Sequence, residues 1–364
     1  ITCRDWSSDV CSSDLSTGDE GRGRVNMDFV DIGGDCDTLA QVYLYSASPV
    51  VGWIAGSDTM MFWSAFGNSF LYPSGFLPLS NQESYTADGN EIYTATFITR
   101  DSSIAIEKTL FAPLPGSGDS CNFIIQRLAV RTFDGLSHNV LIGEIIDWDI
   151  PSDSGSDNGS DFNATEKMIW QYGGEYHQDD TGANAACQDN DRRLGGVKHL
   201  GTWKKSGGTY TNLSSTTPMA AFTQKHATDA SGKKKPIKGP DLFRQMAEKT
   251  GYSAYLDPNN RPAMVETAIC HSVQGWLAPS DILFIYTVFL TIKEGMQEDL
   301  LNLGRKAKAW FDNAVHKIKP LLPGCCTKRG DVNNDGKVIV SDLTYLVNYL
   351  FKGGSAPSCF EHGD

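Results

Sequence analysis

No stretch of the 364 residues stays apolar for the roughly 18 positions a membrane-spanning helix needs, so no helical span is expected. The compact signatures of common chemistry are missing as well: no G-x-S-x-G elbow, no H-E-x-x-H helix, no Walker loop and no G-x-G-x-x-G turn. No reaction can be named from a motif alone. Positive charge is scarce, with 31 lysines and arginines against 44 aspartates and glutamates, a net of −13. Arg4, Asp5, Asp9 and Asp14 account for −2 of this, leaving −11 for residues 16–364. A surface of that sign repels phosphate backbones, so nucleic acid is not an expected partner. The basic run Lys233 to Lys235, with Lys238, lies beside Pro236 and Gly239 and reads as a solvated loop. Neither C-x-x-C nor clustered histidine accompanies the cysteines, which argues against zinc.

What the sequence does contain is strand. "RVNMDFVDIG", "AQVYLYSA", "EIYTATFITR", "SIAIEKTLFAP", "NFIIQRLAVRTF", "NVLIGEIIDWDI" and "ILFIYTVFLTI" are rich in β-branched and aromatic residues, and turn-forming residues cluster between them. Strand and helix do not alternate regularly, which argues against a parallel sheet with crossover helices. The expected fold is mainly β, a large antiparallel β-sandwich over residues 16–319. A short helix is expected over Pro240 to Gly251. A longer one is expected at about 296–318, with Leu300, Leu303, Ala307, Trp310, Phe311, Ala314 and Ile318 forming a stripe that packs on the body. Residues 320–329 make a linker containing Pro320 and Pro323.

The last segment, "GDVNNDGKVIVSDLTYLVNYLFKGG", places Asp331, Asn333 and Asp335 at alternate positions, Gly336 at the turn, Lys337 where a backbone carbonyl faces the ion, and Asp342 at the twelfth place. Ca²⁺ wants about six to eight oxygen ligands, and alternate side chains on a tightly wound loop converge on one point. The competing reading is an Asx-rich turn without metal. Leu343, Leu346, Val347 and Leu350 then follow helical spacing, and Gly353 ends the helix.

The prolines before this loop leave no room for the entering helix of an EF-hand. Loop plus exit helix, with Asp at position twelve, resembles the repeat of a type I dockerin, the module that docks secreted bacterial proteins onto cohesin domains. The resemblance covers about 30 residues and implies Ca²⁺ as cofactor, a cohesin-type module as partner, contact through Val340 and Ser341, and an extracellular location. A dockerin has two such repeats. "CFEHGD" looks like the lead-in to a second, so residues 330–364 read as a truncated, half dockerin, for which weaker Ca²⁺ binding and little or no cohesin binding are expected. At the other end, "DWSSDVCSSDL", Asp5 to Leu15, resembles a translated sequencing-library adapter, and the four residues before it fit an index barcode. Residues 1–15 then stand outside the fold, and any natural signal peptide would have been lost.

Setting Cys3 and Cys11 aside leaves seven cysteines, Cys36, Cys121, Cys187, Cys270, Cys325, Cys326 and Cys359, an odd count that leaves at least one without a partner in this chain. Adjacent cysteines bond to each other only with strain, so one of Cys325 and Cys326 is expected to pair with Cys359, and Cys326 with Cys359 is the pairing taken.

Within the body, Asp147 and Asp149 share one face of a strand end while Glu144 points the other way. Their spacing of about 7 Å suits two catalytic carboxylates, although strands running into polar loops also end in aspartates. Asp153, Asp157 and Asp161 offer a second acidic loop. Glu175, His177 and Asp179 alternate on an extended segment and could bind metal or move protons, or simply form surface hydrogen bonds. Phe62, Trp63, Phe66, Phe70, Tyr72 and Phe76 read as core, with a glycan-binding surface as the rival. The expected function is a secreted cargo or structural protein with a calcium-dependent docking module and a glycan-binding body. The alternative is a carbohydrate-active enzyme of the supersandwich type carrying a dockerin, which requires Asp147, Asp149, Glu175 and His177 to converge in one cleft.

Overall fold

The computed structural model describes residues 25–29, 41–63, 75–79, 83–87, 90–113, 123–148, 159–172, 194–213, 219–224, 239–248, 251–253, 266–272, 276–292, 296–313 and 337–352. Among them two β-sheets face each other. The smaller comprises β1 (Val25–Phe29), β2 (Gln41–Ala55), β3 (Asp58–Trp63), β9 (Leu141–Trp148), β14 (Met219–Gln224), β15 (Gly251–Ser253) and β16 (Glu266–Ser272), in the order β1-β2-β9-β16-β14-β15 with β3 paired to β2. The larger comprises β4 (Phe76–Pro78), β5 (Glu83–Ala87), β6 (Asn90–Thr99), β7 (Ile104–Pro113), β8 (Phe123–Thr132), β10 (Gly159–Asn163), β11 (Met168–Tyr172), β12 (Leu194–Ser206), β13 (Thr209–Asn212) and β17 (Ile282–Ile292). Its order is β10-β11-β12-β17-β8-β7-β6-β4, with β13 on β12 and β5 on β6.

Pairing is antiparallel except between β14 and β15, and α1 (Gly239–Glu248) makes the crossover that a parallel pair requires. The expected mainly β, large antiparallel sandwich is therefore present, and each of the seven predicted strand segments holds a strand.

Alternation decides which side chains fill the core. Ile104 and Ile106 of β7, Leu128 and Val130 of β8, and Leu283 and Ile285 of β17 meet Val51 and Trp53 of β2 and Ile142 of β9 between the sheets. The opposite face of the larger sheet is covered by α2 (Gln297–Asn313). Leu300, Leu301, Leu303, Ala307 and Phe311 pack there on Tyr286, Val288 and Leu290 of β17, Ile125 of β8, and Met168 and Trp170 of β11. β17 is thus buried on both faces, the physical reason its sequence is an almost unbroken apolar run.

The described part of α2 agrees with the stripe read from the sequence, Trp310 being partly buried; residues 314–318 lie outside the described residues. A polar clasp fixes the helix to the sheet. Lys198 of β12 donates to the Glu166 carboxylate at 2.6 Å and to the Glu166 carbonyl at 2.7 Å, and Arg305 of α2 donates to the other carboxylate oxygen at 2.8 Å. Lys198 first, with Arg305, holds the Glu166 carboxyl below the ordinary glutamate range against the opposing pull of burial.

Candidate functional site

The C-terminal segment is described over residues 337–352. Lys337, Val338 and Ile339 are exposed, and α3 (Val340–Lys352) starts directly after them, with Val340 and Ser341 exposed in its first turn. Asp342 is 3% exposed, and its Oδ2 accepts a hydrogen bond from the Ile339 backbone N–H at 2.9 Å. A carboxylate three residues into a helix that reaches back to the capping residue's amide closes half of a capping box. Its charge also sits at the positive end of the helix dipole. The residue expected at the loop's twelfth place is therefore turned back toward the loop.

Asp331, Asn333 and Asp335 lie outside the described residues, as do Cys325, Cys326 and Cys359. Asp331, Asn333, Asp335, the Lys337 carbonyl and Asp342 supply only oxygen donors, three of them carboxylates, and that chemistry fits Ca²⁺ rather than a softer metal.

Of the four candidate residues in the body, one is placed. Asp147 lies on β9 opposite Ser46 of β2, while Asp149, Glu175 and His177 fall outside the described residues. In the acidic segment Asp161 lies on β10, paired with Trp170 of β11, and Asp153 and Asp157 are outside the described residues. Among the aromatics, Phe76 is buried between the sheets against Phe97, their ring centroids 4.9 Å apart. Phe62 is half-buried and stacks on Trp53 at 5.4 Å; Trp63 is also half-buried. Phe62 and Phe76 serve the core, and Phe66, Phe70 and Tyr72 lie outside the described residues.

A buried ion pair between the sheets was not singled out from the sequence. Glu144, the residue pointing away from Asp147, enters the space between the sheets, where its Oε1 lies 3.5 Å from the Lys108 Nζ of β7. Gln126 of β8 donates to Glu144 Oε2 at 2.8 Å and lies 3.3 Å from the Thr287 hydroxyl of β17. Lys108 and Glu144 are 5% and 1% exposed. His199 of β12 is directly opposite Thr287 and bonds the Thr202 hydroxyl at 2.9 Å, extending the polar row.

Burial pushes the Glu144 carboxyl up, with Lys108 opposing, and pushes the Lys108 ammonium down, with Glu144 opposing. Both side chains are enclosed between the sheets, so this pair acts on packing and register rather than on a substrate. The sequence carried a signal for it: Lys108 follows Ile104 and Ile106 at core-facing parity, as Gln126 follows Ile124 and Glu144 follows Ile142.

At one end of the sandwich Trp276 is 64% exposed. Its carbonyl accepts a hydrogen bond from Lys204 at 2.8 Å, Lys204 pairs with Asp281 at 2.7 Å, and Asp281 accepts the Ala278 N–H at 2.9 Å. Next to it, His138 and Leu277 form a two-way backbone bridge.

No protein-family model matches the chain. No curated protein matches it. Among solved structures it is similar to a bacterial glucoamylase complexed with acarbose, at 10% identity and a TM-score of 0.45, over 81% of this chain and 34% of that one. It is also similar to a protein described as a kojibiose phosphorylase from the human microbiome, at 11% identity and a TM-score of 0.31, over 79% of this chain and 32% of that one. The chain spans about a third of the length of these structures.

Proposed function

We propose that the chain is a secreted β-sandwich protein whose C-terminal loop and helix bind Ca²⁺ as a dockerin-type element directed at a cohesin-type module. The observation that carries this reading is Asp342, buried in the first turn of α3 with its carboxylate turned back to Ile339. A closing ligand at a helix start makes order in the helix depend on the ion. Val340 and Ser341 would then face the partner. The test is binding of the chain to an immobilised cohesin-type module in Ca²⁺ and again in chelator. A weak response confined to Ca²⁺ and removed by Val340→Glu with Ser341→Lys supports the reading. An equal response in chelator, or a Ca²⁺-dependent response that survives Val340→Glu with Ser341→Lys, refutes the partner class.

A second reading concerns the body. Trp276 presents an aromatic ring on a backbone held by Lys204, and an exposed, fixed ring is a surface on which a sugar stacks. Carbohydrate is the ligand class this favours. Quenching of tryptophan fluorescence by soluble oligosaccharides, lost in Trp276→Ala, would support it; identical titrations of the two proteins would refute it.

A further inference from the structure

Two oxygens between the sheets, Glu144 Oε1 and Gln126 Oε1, have no hydrogen-bond donor among the described residues. The Lys108 ammonium stands 3.5 Å from the first, beyond the roughly 2.7–3.2 Å of an N–H···O bond. The Gln126 amide turns its N–H to Glu144 Oε2 at 2.8 Å, so its carbonyl is the end that still wants a donor. Lys108, Gln126 and Glu144 are 5%, 0% and 1% exposed. Lys108 faces Leu128 and Gln126 faces Leu110 across the β7–β8 pair, which makes the two polar side chains diagonal neighbours on one sheet, both reaching Glu144 on the other. Around them Ile106, Ile124, Ile142 and Ile146 are buried and offer no polar side-chain atom. Two acceptors stripped of solvent in such a place carry a desolvation cost that only a donor offsets.

We propose that these three side chains hold one internal water molecule, which donates to Glu144 Oε1 and to Gln126 Oε1 and accepts from the Lys108 ammonium. About three partners is the usual complement of a buried water. Charge excludes the other small occupants: a metal cation would lie against the ammonium, and an anion against the carboxylate. Water also suits either protonation state of Glu144. When the carboxyl carries a proton, the Gln126 amide reverses to accept it, and the N–H it then presents is taken by the same water. The ion pair is therefore a cluster of four, with water at the joint between the sheets. Apolar side chains close it off, so the molecule leaves only when the sandwich opens, and its residence is long compared with tumbling of the protein. The site is independent of the calcium loop and of Trp276.

Oxygen-17 relaxation dispersion on the full chain tests this, because it counts water molecules held for longer than tumbling and is blind to the exchanging protons of neighbouring hydroxyls such as Thr287. A variant carrying Lys108→Met, Glu144→Leu and Gln126→Leu removes all three partners while keeping side chains of similar length. It is expected to lose one long-lived water relative to the wild type, and equal counts in the two proteins would overturn the proposal. A crystal structure of the wild-type chain gives a second reading that needs no variant. A density peak within about 2.6–3.2 Å of both Glu144 Oε1 and Gln126 Oε1 is expected. A Lys108 ammonium bonded directly to both oxygens, or the three side chains closed on one another with no peak between them, would overturn it.

Discussion

Replacing Lys108 and Glu144 one at a time and then together exposes what the buried pair contributes. In Glu144→Gln the Lys108 ammonium, 5% exposed in the intact protein, loses its counter-charge. In Lys108→Met the Glu144 carboxylate keeps only the Gln126 hydrogen bond at 2.8 Å among the described contacts. Each single change leaves an uncompensated charge between the sheets and should cost about 3–5 kcal/mol. In a body of roughly 300 residues, with an unfolding entropy of about 0.6 kcal/mol/K, that lowers Tm by roughly 5–8 °C. Lys108→Met with Glu144→Leu removes both charges and leaves apolar side chains of similar length, so it should fall near the wild type or above it by up to about 4 kcal/mol.

The pH dependence has a definite sign. Glu144 titrates above the ordinary glutamate value, so its protonation favours the fold, and the deficit of Lys108→Met should shrink as pH falls. Lys108 titrates below the ordinary lysine value, so the deficit of Glu144→Gln should shrink as pH rises. Urea unfolding followed by tryptophan fluorescence reads all four proteins. Single changes costing under about 1 kcal/mol, or a charge-free double variant less stable than either single variant, would refute the coupled buried pair.

Phe311→Ala, at a fully buried position where α2 meets Tyr286 and Trp203, should cost about 3–5 kcal/mol in the same assay. Glu166 titrates below the ordinary value of 4.5, so its contribution is complete above that value and is lost as pH falls below it. Acid should therefore loosen α2, seen as faster amide exchange there, with no such step in Glu166→Gln. A Cβ added at Gly196 would meet Trp170 Cβ at 3.1 Å and the Ile169 carbonyl at 3.2 Å, so Gly196→Ala should lose about 1–3 kcal/mol by urea unfolding despite removing a flexible residue.

The strands that could be read from the sequence are those whose burial gives a plain pattern. β7, β8, β9 and β17 carry β-branched and aromatic runs, and α2 carries a stripe, because one local rule fixes which side is buried. β12 escaped notice although it is central and buried along most of its length. "LGGVKHLGTWKKS" holds Gly195, Gly196 and Gly201, and glycine weakens a strand signal. Gly196 is there because Met168 and Trp170 of the neighbouring strand pack over it, a demand set by residues far away in sequence. β15 was missed for a related reason: it is three residues long and pairs in parallel through the α1 crossover, which propensity alone does not reveal.

At the candidate sites, the place of Asp342 at a helix start could be read because capping is local. Glu144 was assigned its direction but not its partner, because Lys108 comes from the other sheet, 36 positions earlier in the chain. Parity shows that a charge points inward; only the stacking of the two sheets shows what it meets.

The central claim is that the loop ending at Asp342 binds calcium, and calorimetric titration of Ca²⁺ into the full chain tests it, beside a variant carrying Asp331→Ala and Asp335→Ala. The account predicts one binding event in the parent, absent from the variant, and a loss of the same event in Asp342→Ala. Binding heat that survives unchanged in the double variant, or no heat in the parent, would contradict it.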